Sequence, residues 1–453
     1  MIALDYGTVI SVLARKYRRN DFRYNKDWEI EWPLVYVGPA GCGKTQAALQ
    51  YCKRLKTSFY FSFRNKSSDF SLKLFQNNYP EVLENCKTWD QFFDAISERI
   101  GQINHSAIIF DDWDESITSD CFINSMQKFL ASHPRRNVLI ILLSRKKPKG
   151  GHYFVKEMVT LSPAYVRKSF PKMTEEDRLR LLSLTDGYPG LLSYYDPSLD
   201  FSTNLIKLLD SENRFFHYAE EQLGVLFRTP KGYTSIFYGL LIGKNKLTDL
   251  SDYVGYSLNK CEKYLKVLME NGLVIKRSVP ETDRRSTSRY ELRSGYFKIW
   301  CKFFLGTTGI CGPSGNDIIE YIDEELIGIV FKKECLQWLY RHNHDIYHRA
   351  LRMEENKNYN IKIGDITFDY VQRDGERLFV AKIWTDPNMS HSRKELEIII
   401  NEAKKETPFY LTDYCFFSVH RFTDSAWKLS QESENIRLIE ARFLTGTSKT
   451  FVL

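Results

Sequence analysis

The chain has no C-x-x-C pair, and its nine cysteines are odd in number and scattered. This excludes a zinc ribbon and a disulfide framework, and it fits reduced thiols in a cytoplasmic protein. Long apolar runs are also missing. The stretch "VLIILL" at 138–143 is far shorter than the ~20 residues a membrane helix needs, so no membrane contact is expected. The opening "MIALDYGTVISVLARKYRRN" has an acid at Asp5 and no uninterrupted apolar core before its basic residues, which argues against a secretory signal. A large excess of one charge sign is missing too: the net charge is +7 over 453 residues. That balance permits contact with nucleic acid without requiring it. What the chain does have is aromatic residues, at 14%, which predicts aromatic-rich cores rather than disorder. The length suggests about two to four domains.

The most specific feature is "VYVGPAGCGKTQAAL" at 35–49. Gly38, Pro39, Ala40, Gly41, Cys42, Gly43, Lys44 and Thr45 fit G-x-x-x-x-G-K-[ST] without a mismatch. An apolar strand precedes them, and a helix with Ala47, Ala48, Tyr51 and Cys52 on its apolar face follows. Backbone N–H groups curl around phosphate in such a loop, and the helix N-terminus adds positive potential. The spacing therefore predicts ATP as ligand, with Lys44 on the β- and γ-phosphates and Thr45 on Mg²⁺. Gln46, in the first helical turn, joins the expected nucleotide-binding set.

A hydrolysing P-loop also needs an acid at the end of a second buried strand. "HSAIIFDDWDE" supplies Asp111 for Mg²⁺ and Asp112 for the attacking water. Asp112 is one methylene shorter than glutamate, so slow turnover is expected. A third apolar strand, "NVLIILLSRK", ends at Ser144 and Arg145, either of which could sense the γ-phosphate; a solvated basic loop is the plainer reading. Arg135 and Arg136 are candidates for an arginine finger in trans, or for a pair that favours a helix C-terminus. Alternating strands and helices over 34–150 predict a parallel sheet covered on both faces, with all three motifs at the carboxyl ends of strands.

Residues 236–305 read as a winged helix-turn-helix. "KLTDLSDYVG" is a short helix, and "SLNKCEKYLKVLMENG" is a second, with Leu258, Cys261, Leu265 and Leu268 expected to be buried. Two strands flank a polar wing that carries Arg284, Arg285 and Arg289. Lys260, Lys263 and Lys266 face outward, so duplex DNA is one candidate partner. Glu262 and Glu270 lie on the same helix and would repel phosphate, which favours an internal lid role.

Taken in order, the segments "FYFSFRNKSSDFSLKLF" at 59–75, "TWDQFFDAI" at 88–96, "TDGYPGLLSYYD" at 185–196 and "YFKIWCKFF" at 296–304 resemble the archaeal-type ATPases. These form a branch of the STAND class, signal-transduction ATPases with numerous domains. The resemblance implies a P-loop ATPase core over 1–160, a helical lid over 161–235, a winged helix over 236–305 and a restriction-endonuclease-like α/β domain over 317–453. It also implies that Pro189, in the G-x-P segment, lies near the adenine. From the residues alone, Asp186-Gly187 ends one helix and Pro189 starts the next. Gly295 stands where the family places aspartate.

In the nuclease-like domain, "DITFDYVQ" and "RLFVAKIW" read as a hairpin turning at Asp374-Gly375. In that register Asp369 faces Val380, and Thr367, Asp369, Val380 and Lys382 share a face. An alignment on Trp384 instead puts Ala381 and Ile383 at the family's acid and lysine. Both arrangements lack the second carboxylate of a PD-(D/E)XK site, and Lys332 stands where the family tends to place glutamate. The expectation is a slow ATP-dependent switch with an inactive nuclease-like tail and an unidentified protein partner, its oligomeric state open. The alternative is an ATP-gated nucleic-acid enzyme or a DNA-binding regulator.

Overall fold

The computed structural model describes residues 33–38, 41–53, 55, 57–63, 67–100, 106–114, 119–132, 138–145, 147–148, 153–158, 160–161, 163–210, 213–227, 231–280, 286–305, 314–347 and 359–444. Pro39, Ala40, Arg135, Arg136, Arg284 and Arg285 lie outside them. The architecture is α/β, with one all-parallel sheet, one mixed sheet, and helices and a small wing between them.

The first sheet is built from β1 (Leu34–Val37), β2 (Thr57–Ser62), β3 (Ser106–Asp111), β4 (Val138–Ser144) and β5 (Phe154–Glu157), in the order β2-β3-β4-β1-β5. Its helices are α1 (Lys44–Cys52), α2 (Ser68–Asn78), α3 (Pro80–Leu83), α4 (Trp89–Ile100) and α5 (Asp120–Ser132). A parallel sheet must be covered on both faces, and the continuous apolar runs of β3 and β4 meet that need. One face carries the aromatic core foreseen from composition: Phe61, Phe75, Trp89, Phe92, Phe110 and Phe122 pack edge-to-face and stacked. The other face takes α1 through Ala48 and Cys52.

The next layer is helical: α6 (Pro163–Ser169), α7 (Glu175–Thr185), α8 (Pro189–Leu192), α9 (Phe201–Leu208) and α10 (Arg214–Leu226). The Thr174 hydroxyl caps α7 by accepting the Asp177 N–H, and Asp186 ends the helix in the left-handed region. Pro189 then opens α8, as the residues alone suggest.

The winged helix comprises α11 (Lys231–Leu241), α12 (Leu247–Val254), α13 (Leu258–Glu270), the antiparallel pair β6 (Val274–Pro280) and β7 (Ser286–Leu292), and α14 (Gly295–Phe303). Cys261, Leu265 and Leu268 are fully buried, but Leu258 is 48% exposed. It is the first residue after the Ser257 cap, where the helix has not yet turned its apolar stripe inward. The module docks on α7 through α14. A Cβ on Gly295 would fall 2.2 Å from the Ser183 carbonyl oxygen, so aspartate cannot stand there. The acid comes instead from Asp186, which accepts from the Ser294 hydroxyl and, at 2.7 Å, from the Gly295 N–H. Burial pushes the Asp186 carboxyl above its ordinary range, although these donors oppose the shift.

The last region begins with α15 (Gly315–Tyr321), which passes through a π-helical turn into α16 (Ile327–Tyr347). Its sheet holds β8 (Tyr359–Ile363), β9 (Ile366–Asp374), β10 (Arg377–Trp384), β11 (Leu411–Ser418) and β12 (Ile436–Glu440), with α17 (Arg393–Glu406) and α18 (Asp424–Glu432) on one face. The other face packs on α16 and shares a continuous core with the helical layer. Two ion pairs cross this junction: Arg178 to Glu334 at 2.8 Å, both buried, and Arg180 Nε to Asp323 at 2.8 Å.

The hairpin register differs from the sequence reading. Asp374 pairs with Arg377, so the turn residues are Gly375 and Glu376, not Asp374 and Gly375. Val380 pairs with Val371 and packs toward α17 and α18. Asp369 turns the other way: its carboxylate meets Lys332 Nζ of α16 at 2.8 Å and accepts the Ile383 N–H at 2.7 Å. Asp369 and Val380 therefore do not share a face. The second alignment describes the α16 side better, with buried Ala381 and Ile383 where the acid and lysine would stand.

Candidate nucleotide site

The G-x-x-x-x-G-K-T loop leaves β1 and enters α1 at Lys44. β1 is paired on both sides, with β4 and β5, which fixes the start of the loop. The Gly38 N–H donates to the Ser144 carbonyl at 3.1 Å, so the loop is hung from the end of β4. Lys44 Nζ lies 2.6 Å from the Gly38 carbonyl oxygen, curled over the loop it serves. Cys42 is fully buried and only 3.7 Å from that ammonium. Burial raises its thiol pKa in spite of Lys44, so Cys42 is a packed neutral group and not a nucleophile. Gln46 is exposed on the first turn of α1.

The acidic strand end meets this loop. The Thr45 hydroxyl donates to Asp111 Oδ2 at 2.6 Å, and the Asp112 N–H donates to Asp111 Oδ1 at 2.7 Å. A third donor was not foreseen: the Tyr60 phenol, from β2, also reaches Asp111 Oδ2 at 2.6 Å. Mg²⁺ fits this place by donor chemistry, because a hydroxyl oxygen and a carboxylate, both hard ligands, converge on it. Asp112 has φ 51°, a left-handed conformation that L-residues other than Asn and Asp rarely adopt. The Trp113 N–H donates to the Leu143 carbonyl at 2.9 Å and holds the turn in place. Arg145, just past β4, pairs with Asp112 Oδ1 at 3.2 Å. Thus Lys44, Thr45, Asp111, Asp112, Ser144 and Arg145 meet at the carboxyl ends of neighbouring strands, where open α/β sheets bind ligands.

The helical layer touches the loop directly. The Gly190 N–H donates to the Gly41 carbonyl at 2.7 Å. A Cβ on Gly190 would sit 2.7 Å from Gly41 Cα, so only glycine permits this approach. Tyr218 of α10 borders Gly41 from the same side. Burial raises the pKa of its phenol and that of Tyr188, keeping both neutral. Pro189 is buried next to Gly190, so the G-x-P segment abuts the phosphate loop itself.

A five-stranded parallel sheet in this order, a G-x-x-x-x-G-K-T loop directly after β1, and a winged helix beyond a helical layer make this a P-loop NTPase fold. No protein-family model matches the chain. It is 22% identical over 356 residues to the uncharacterized protein MJECL04 of Methanocaldococcus jannaschii, covering 74% of this chain and 77% of that protein. Among solved structures, it is similar to the Aeropyrum pernix ORC1 protein in complex with DNA, at 11% identity, 64% of this chain, 89% of that chain and a TM-score of 0.29. It is also similar to Thermotoga maritima RuvB, at 11% identity, 61% of this chain, 89% of that chain and a TM-score of 0.26. Scores this low carry no argument about activity. No described helix is long and apolar enough to cross a membrane.

Proposed function

We propose that this chain is a P-loop ATPase that binds ATP with Mg²⁺ at Gly38–Thr45 and Asp111. It hydrolyses ATP slowly and works as a STAND-type switch, nucleotide state setting how lid, winged helix and C-terminal domain are arranged. The observation that carries the reading is the 2.6 Å contact between the Thr45 hydroxyl and Asp111 Oδ2. It brings the two metal-binding motifs of such enzymes together at one strand end.

The roles follow from position. Lys44 supplies positive charge to the β- and γ-phosphates, and loop N–H groups line them. Thr45 and Asp111 would hold Mg²⁺, which would supply positive charge against the phosphates. Asp112 orients the attacking water and accepts its proton; Arg145 senses the γ-phosphate. Slow turnover is supported by the short Asp112 side chain and by its engagement with Arg145. The lid is coupled to the nucleotide through Gly190 on Gly41, to the winged helix through Asp186, and to the C-terminal domain through Arg178 and Glu334. Equilibrium ATP binding and single-turnover hydrolysis test this reading. Fast turnover, or affinity unchanged in Lys44→Ala, would overturn it.

A second reading, a DNA-binding regulator, has its own support. The winged helix docks on the lid through α14, and Lys263 and Lys266 of α13 are exposed. Lys260 is engaged differently, lying 3.7 Å over the Tyr256 ring. Duplex binding that weakens steeply with salt, and is lost in Lys263→Glu/Lys266→Glu, would favour this reading over the switch alone.

A further inference from the structure

We infer that Tyr60 is a positioning residue for the metal-binding carboxylate, and that it sets how much Mg²⁺ strengthens nucleotide binding. This rests on the nucleotide reading above and adds a residue that the P-loop motifs do not contain. Asp111 Oδ2 receives two hydroxyl donors, Thr45 from the phosphate-loop helix and Tyr60 from β2, both at 2.6 Å. Oδ1 receives the Asp112 N–H at 2.7 Å. Three donors from three places fix the torsion of a two-oxygen group.

Their roles differ. Thr45 is itself a metal ligand, so it cannot serve as a fixed reference for Asp111. The Asp112 N–H belongs to a left-handed turn beside the reacting water. Tyr60 alone comes from a regular strand that takes no part in the chemistry, and that strand is braced where Tyr60 sits. Among the described residues β2 is an edge strand, paired with β3 alone. The edge is bridged by Tyr79, whose phenol accepts the Tyr60 N–H at 3.4 Å and donates to the Tyr60 carbonyl at 3.3 Å. Both the backbone and the side chain of Tyr60 are therefore held. A carboxylate whose orientation is set before the ion arrives loses less freedom on binding it, and hydrogen bonds to a charged group are the strong kind. The effect should appear only when the metal is present.

The experiment measures affinity for a fluorescent N-methylanthraniloyl-ATP in excess Mg²⁺ and again in EDTA. The chains compared are wild type, Tyr60→Phe, Asp111→Asn and the double variant, with thermal melting checked for each. Tyr60→Phe should weaken binding roughly tenfold in Mg²⁺ and leave affinity in EDTA unchanged. In the Asp111→Asn background, adding Tyr60→Phe should change little, since the carboxylate it holds is gone. Equal loss in both buffers, or no loss in Mg²⁺, overturns the inference and leaves the nucleotide reading standing. A wild-type chain that binds in neither buffer overturns both.

Discussion

Arg145 reaches across the carboxyl end of the sheet to Asp112, with its guanidinium 3.2 Å from Oδ1. Both side chains are partly exposed, so the pair itself contributes no more than about 1 kcal/mol. In the proposed mechanism Arg145 nevertheless occupies an oxygen that the attacking water would need.

Two effects compete in Arg145→Ala. Freeing Asp112 would raise the rate by at most about fivefold, the equivalent of that pair energy. Losing a positive charge beside the reacting phosphate would lower it by about a hundredfold or more. The net expectation is slower single-turnover hydrolysis, with stability in urea changed by under about 1 kcal/mol. A faster variant would show that Arg145 is only a latch.

Lys44→Ala should abolish the thermal stabilisation that ATP gives the wild type. Asp112→Asn should keep that stabilisation and lose hydrolysis, because it retains shape and removes only the proton acceptor. The two variants together separate binding from chemistry, read by melting curves and phosphate release.

Gly190→Ala sets helix propensity against sterics. In a helix interior the change would stabilise by about 0.5–1 kcal/mol. Here the new Cβ would meet Gly41 Cα at 2.7 Å and Gly41 O at 2.9 Å, so the phosphate loop must shift. ATP affinity should fall about tenfold or more, with little loss of secondary structure by circular dichroism. Unchanged affinity would mean that the loop has slack not seen in this packing.

Glu334→Gln should destabilise the chain by about 1.5–3 kcal/mol, because the buried Arg178 loses one of its two carboxylate partners and keeps Glu175 at 2.8 Å. Replacing both members of the buried pair, as in Arg178→Met with Glu334→Leu, should recover most of that loss. Chemical denaturation followed by tryptophan fluorescence reads both.

The C-terminal domain should leave plasmid, linear and single-stranded DNA intact in Mg²⁺ or Mn²⁺. Asp369 is engaged by Lys332 and the Ile383 N–H, and Ala381 and Ile383 stand where an acid and a lysine would be needed. Cleavage that vanished in Asp369→Ala would refute this.

The sequence made the phosphate loop and Asp111 legible because their signals are local: fixed spacing, and a strand that ends on an acid. Tyr60 was hidden for the opposite reason. In "FYFSF" it looks like one more core aromatic, and only the lateral pairing of β2 with β3 brings its phenol to Asp111. Gly190 was equally opaque, since its need for hydrogen in place of a side chain comes from a loop about 150 residues away in the chain. The hairpin was misread by two residues because Asp-Gly is a strong turn signal, yet Gly375 takes its left-handed φ of 61° as the first turn residue rather than the second. Asp369 then left the face that alternation assigned to it, drawn to Lys332.

The Tyr79 phenol has a consequence beyond the nucleotide. An unpaired edge strand is a template on which another chain can add a strand. At Tyr60 both backbone groups on that side are already taken by Tyr79, a side chain that cannot be extended into a ladder. At this residue the rim of the parallel sheet therefore offers an incoming strand no backbone group to pair with, which works against β-augmentation there.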